Sequence, residues 1–209
     1  MLAHIPQNHP AVTIWTQPRD TLRQLIDQGP TRIVLLLAAL HGFVNMIDRV
    51  SSRDAGDLMA FLTMLLLCLV IGPVTGLVSL YLGAWLFRWV GRWLGGQGRT
   101  GDLRTALAWA GLPVIASLPL WGLLALLLGP ALFTSTSTSE TIAPWQTIVA
   151  TLVGLVILVL SGWSVLLSVL GIAEAHRFSI WRAISTCLLP GVAAVVLLAL
   201  IVIPVALIA

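Results

Sequence analysis

The chain has 209 residues, 58% of them hydrophobic and 9% charged, with a formal net charge of +3. A soluble domain carries about 25% charged residues to cover its surface, so this composition excludes an ordinary soluble fold. It also excludes nucleic-acid binding, because the arginines flank apolar stretches and no soluble segment holds a basic patch interleaved with aromatics.

Residues 1–12, with His4, Pro6, His9 and Pro10, read as a loose polar tail without a removable signal peptide. From Pro18 to Gln28 the pattern becomes helical. Leu22, Leu25 and Ile26 share one face, and Arg19, Asp20, Arg23 and Asp27 take the other. Pro18 suits a first turn, and Gly29-Pro30 suits a stop. Eleven residues are too few to span a bilayer. With Trp15 at its entry, this helix is expected to lie in the membrane interface. Residues 1–31 thus form a tail and an interfacial amphipathic helix, and 32–209 a transmembrane domain.

Five apolar stretches follow, at 32–47, 58–87, 106–132, 146–173 and 183–208. A spanning helix needs about 20 apolar residues. Four stretches exceed that, and the first, which holds His41 and Asn45, falls short of it. The expectation is an all-α bundle of five transmembrane helices, the first of which also serves as the insertion signal.

The second stretch carries Gly72-Pro73 at its middle and then Trp85, Arg88, Trp89, Arg92 and Trp93. Indole rings favour the interface and arginine snorkels to headgroups, so this stripe is a candidate interfacial or partner-binding surface. The loop after it, GGQGRTG, lacks the GxxxxGK[ST] spacing of a phosphate-binding loop. The third stretch is interrupted by Pro113 and Pro119, which predict kinks. Loop 134–144 is polar, with Glu140 its only charge. In the fourth stretch Gly154, Ser161, Ser168 and Ala175 recur every seven residues as a packing face, and Gly72 and Gly76 form a GxxxG step that could meet it.

Nine of the eleven arginines precede the first stretch or lie in the second-to-third and fourth-to-fifth gaps. Only Arg49 and Arg53 lie on the other side, beside Asp48, Asp54 and Asp57. Arginine-rich loops stay cytoplasmic, so the N-terminus is expected inside and the C-terminus outside. Lysine is absent, which removes Schiff-base chemistry and points to GC-rich bacterial coding and hence a bacterial inner membrane.

His41 is the one ionisable residue well inside a span, and such residues are functional candidates. Asn45 and Asp48 continue its face at helical spacing. The three read either as a polar track for a proton, ion or small solute, or as a hydrogen-bonded helix contact. Glu174, His176, Arg177 and Arg182 form a candidate cytoplasmic turn, with Glu174 expected to pair with Arg177 or Arg182. Cys68 and Cys187 sit inside spans, and no spacing of Cys, His or carboxylates suits a metal. No catalytic set and no cofactor is predicted.

The order WTQPRDTLRQLI, GGQGRTGDLRTALAWAGLPVI and IAEAHRFSIWRAISTCLLPG resembles the Yip domain family of integral membrane proteins, in a compact bacterial form. The resemblance runs through Gly95 to Gly101, Asp102 to Thr105, Trp109, Leu112 and Pro113, then through His176, Arg182 and Leu189-Pro190. It implies a non-enzymatic protein: a scaffold, a membrane-organising factor or an accessory subunit of a membrane complex. Partners would be the bilayer and another membrane protein or a second copy. The eukaryotic relatives are implied to bind prenylated GTPases. Here their Gly-Tyr is replaced by Ala108-Trp109 and their acidic-Leu-Tyr-Gly-Pro block is missing, so a GTPase partner is not carried over. The alternative is a small permease or channel with its polar track at His41, Asn45 and Asp48.

Overall fold

The computed structural model describes residues 9–29, 31–135 and 142–208, and every regular element among them is helical. The order is α1 (Pro10–Thr16), α2 (Pro18–Gln28), α3 (Thr31–Ser51), α4 (Phe61–Trp93), α5 (Thr100–Ala110), α6 (Leu112–Ala116), α7 (Leu118–Leu128), α8 (Pro144–His176) and α9 (Ile180–Ile208). Short 3-10 turns follow α3 at Ala55–Asp57 and α7 at Gly129–Phe133. Four segments are long and apolar enough to cross a membrane: Thr31–Ser51, Phe61–Trp93, the broken rod Thr100–Phe133, and Pro144–His176. Glu140 and Pro30 lie outside the described residues.

The first span is longer than its apolar stretch. Helix α3 runs on past Asp48 and Arg49, which are exposed, and its last residue, Ser51, donates to the Leu132 carbonyl at 2.8 Å. Its 21 residues cover about 31 Å at 1.5 Å per residue, enough for the hydrocarbon core.

The closest helix contact differs from the expected one. Gly72 and Gly76 of α4 face α3, where a methyl added to Gly42 would strike the Gly76 backbone and one added to Gly72 would strike Phe43 and Met46. Backbones approach this closely only where side chains are missing, which is the physical content of a small-xxx-small step. On α8, Gly154 meets nothing within 4 Å among the described residues, so among them the seven-residue stripe is not one continuous packing face. Its lower part does pack, with Gly171 against Ala106 of α5.

Pro113 and Pro119 divide the third span as expected, giving α5, α6 and α7 with breaks at Gly111 and Ser117. In α4, Pro73 is carried inside a continuous helix. Of the expected tail, residues 1–8 lie outside the described residues, and the remainder is helical rather than loose. Pro10 opens helix α1, and Ile14 on it is fully buried. The apolar face of α2 turns onto α5 and α8, with Leu22 and Leu25 buried in the same cluster as Trp109 and Leu167.

The glycine contact is directly testable. Gly76→Ala should lower the unfolding free energy by about 1–3 kcal/mol, because overpacking separates α3 from α4. Gly154→Ala should be neutral or stabilise by up to about 1 kcal/mol through helix propensity. Thermal unfolding in detergent, followed by circular dichroism, separates the two; equal effects would remove the special role of the α3–α4 contact.

Candidate functional site

His41, Asn45 and Asp48 come together on one wall of a cavity of about 440 Å³. Helix α3 supplies this wall, α4 the next through Gly76, Ser79 and Gly83, and the broken rod a third through Gly111, Ser117 and Trp121. Helix α8 completes it with Ser161, Ser164 and Ser168. The His41 ring rests against Gly111, where an added methyl would collide with it. Two buried nitrogens on residues that line the cavity, His41 Nδ1 and Trp121 Nε1, have no hydrogen-bond partner among the described residues.

Four of the polar hydrogens around the cavity are committed to backbone carbonyls. Asn45 Nδ2 donates to the His41 carbonyl at 2.8 Å. Ser164 Oγ donates to the Ala110 carbonyl at 2.7 Å, Ser168 Oγ to Ser164 at 2.9 Å, and Ser117 Oγ to Val114 at 2.6 Å. The lining stops at Phe87, Leu107 and Ser168. Below it lies a closed layer of Ala84, Leu103, Ile172 and Ala173, all essentially without exposure. The cavity therefore has a floor.

Beneath that floor sits the second polar centre. His176, the last residue of α8, is 1% exposed. Its Nδ1 accepts from the Gly98 amide at 3.1 Å, and its Nε2 lies 3.1 Å from the Phe87 carbonyl. One donor and one acceptor fit the neutral tautomer with the proton on Nε2. Gly91, Gly96 and Gly98 cradle the ring, since a methyl at any of them would run into the imidazole. Phe178 stacks on it with centroids 5.0 Å apart. Arg177 then takes a left-handed conformation, φ 55°, which ends the helix and lets the Phe178 amide bond back to the Ala173 carbonyl.

Glu174 meets neither Arg177 nor Arg182 as its ion-pair partner; its Oε1 lies 3.3 Å from Arg19 Nε. The left-handed turn at Arg177 redirects the chain, while α2 brings Arg19 against α8. With Arg19 half-exposed, this pair contributes at most about 1 kcal/mol. Arg182 is exposed beside Gly95. Sequence reasoning found His176 but missed its cradle, although Gly91, Gly96 and Gly98 were the available signal.

Trp85, Trp89 and Trp93 form one exposed column, 58%, 48% and 66% accessible, with Trp85 and Trp89 stacked at 6.2 Å. Arg92 is exposed beside them. Arg88 is not part of that surface. It is half-buried, and its Nη1 donates to Thr100 Oγ1 at 3.3 Å.

Replacing His176 by Phe keeps the ring but orphans the Gly98 amide and Phe87 carbonyl, and should cost about 2–5 kcal/mol. The measurement is thermal unfolding in detergent; a loss below about 1 kcal/mol would mean the two hydrogen bonds are replaced by water.

Searches of curated proteins and of solved structures gave no match. Residues 12–203 match the Yip1 domain, so the match takes in α2, the glycine loop, the proline-broken rod, the His176 turn and most of α9. That span leaves out little but the N-terminal tail and the last few residues, and the chain is a multi-pass membrane protein belonging to the Yip1 domain family.

Proposed function

We propose that this protein is a non-enzymatic scaffold, a membrane-organising factor or an accessory subunit of a membrane complex in a bacterial inner membrane. Its N-terminus lies on the cytoplasmic side and its C-terminus outside, with α9 as a fifth span. The observation that carries the reading is the Trp85–Trp89–Trp93 column. Helix α4 has 33 residues, about 50 Å of length against a hydrocarbon core of about 30 Å. Its last turns therefore project through the interface and present indoles and Arg92 to headgroups or to a partner.

Helix α2 does not lay its apolar face in the interface as expected, because that face is packed on α5 and α8; it presents its charged face at the same end, where Arg19 holds Glu174. No GTPase partner is proposed. The channel reading is less favoured, because the floor of Ala84, Leu103, Ile172 and Ala173 separates the His41 cavity from the arginine-rich end. A conducting path would have to open that layer.

Two measurements test the proposal. The triple variant Trp85→Ala, Trp89→Ala, Trp93→Ala should fold, since all three rings are exposed, and should lose the protein or lipid that copurifies with the wild type in mild detergent. A wild-type protein that carries neither would refute the scaffold role. In a variant lacking Cys68 and Cys187, a cysteine at Ser52 should react with an impermeant maleimide from outside, and one at Gln97 only after the membrane is opened. The reverse pattern would invert the topology.

A further inference from the structure

We propose that the cavity behind His41 is a binding site for an amphiphile with a protonated primary amine as its head, entering from the side of the bundle. The inference rests on three observations that are independent of the scaffold reading.

The first is the hydrogen-bond inventory. Ser117, Ser164 and Ser168 have each given their proton to a backbone carbonyl, and Asn45 has given one of its own to His41. What these groups still offer the cavity is mostly lone pairs, joined by the Asn45 amide oxygen and the Asp48 carboxylate. The donors left to the cavity are Trp121 Nε1, the second Asn45 amide hydrogen and the Ser79 and Ser161 hydroxyls, and these two serines can also turn a lone pair to a ligand. The Asp48 carboxylate, the Asn45 amide oxygen and the three committed serine oxygens together suit a ligand that donates, and an ammonium supplies three N–H donors with no acceptor.

The second is charge. Among the described residues, Asp48 is the only formally charged one lining the cavity, and no arginine reaches it. An anionic head such as a phosphate or sulfate would meet a carboxylate and no cation, whereas an ammonium would find its counter-charge one turn beyond Asn45.

The third is the shape of the opening. Helices α4 and α8 both line the cavity but do not pack side by side. Helix α9 bridges them near Ala183 and Thr186, which are fully buried, and beyond Pro190 residues 191–196 are all exposed. Asn45, Ser79 and Val165 are exposed at the resulting gap. The slot faces the membrane, so a hydrocarbon tail can remain in lipid while the head turns inward. A cavity of about 440 Å³ is far larger than a bare metal cation needs, and its apolar share suits the first carbons of a chain.

The test uses the full-length protein in mild detergent, titrated with dodecylamine, dodecanol and dodecyl sulfate and read by native mass spectrometry. One dodecylamine per chain is expected, bound about tenfold more tightly than either of the others. Asp48→Asn should weaken it about tenfold, and Val165→Trp, which narrows the slot from an exposed position, should do the same. Asp54→Asn, outside the cavity, should change nothing. Equal binding of the three amphiphiles, or wild-type affinity in both cavity variants, would overturn the proposal. If Asp48→Asn does not fold, Val165→Trp decides alone.

Discussion

The buried imidazole of His176 sets the geometry on which the rest of the bundle depends. An unpartnered polar ring in this position would cost several kcal/mol, so it must sit where the Gly98 amide and the Phe87 carbonyl both reach it. Those partners belong to the glycine loop and to α4, while the ring belongs to α8. One side chain thereby ties three segments at the arginine-rich end. The cradle of Gly91, Gly96 and Gly98 follows from the same constraint, because a ring this large fits between backbones only where side chains are absent.

Pinning α4 and α8 at that end explains why they separate further along. Helix α4 is drawn away by its contact with α3 at Gly42, Gly72 and Gly76, while α8 follows the broken rod through Ala106 and Ala110. Two helices joined at one end and attached to different neighbours must leave a wedge between them. The His41 cavity occupies that wedge, and the fully buried layer around Ile172 is where the wedge closes.

The membrane class, the proline breaks and the family were all legible from the chain, because they rest on local signals. Composition, hydropathy and the fixed φ of Pro113 and Pro119 need no tertiary knowledge. The pairing of His41, Asn45 and Asp48 on one face was legible for the same reason: helical periodicity alone places them together. What could not be read was which surface each small residue meets. Gly72 and Gly76 were matched to the small-residue face of the fourth stretch, and only the position of Gly42 shows that they meet α3. Glu174 had three nearby cations in sequence or space, and the one it meets lies on α2, more than 150 residues earlier. The sequence showed His176 as a polar residue at a helix end, but nothing in it assigned Gly98, 78 positions away, as its hydrogen-bond donor.

The serines around the cavity connect the proline breaks to its chemistry. Ending α5 at Ala110 leaves terminal carbonyls without intrahelical donors, as at any helix end. In lipid such groups must be satisfied by protein, and Ser164 on α8 satisfies the Ala110 carbonyl directly. At the second break, Ser117 turns its hydroxyl back to Val114. Each repair consumes a donor and leaves the oxygen's lone pairs uncommitted. The broken rod therefore does more than kink: it draws the Ser164 and Ser117 protons onto its own carbonyls, so at the two breaks these hydroxyls are left to the cavity as acceptors.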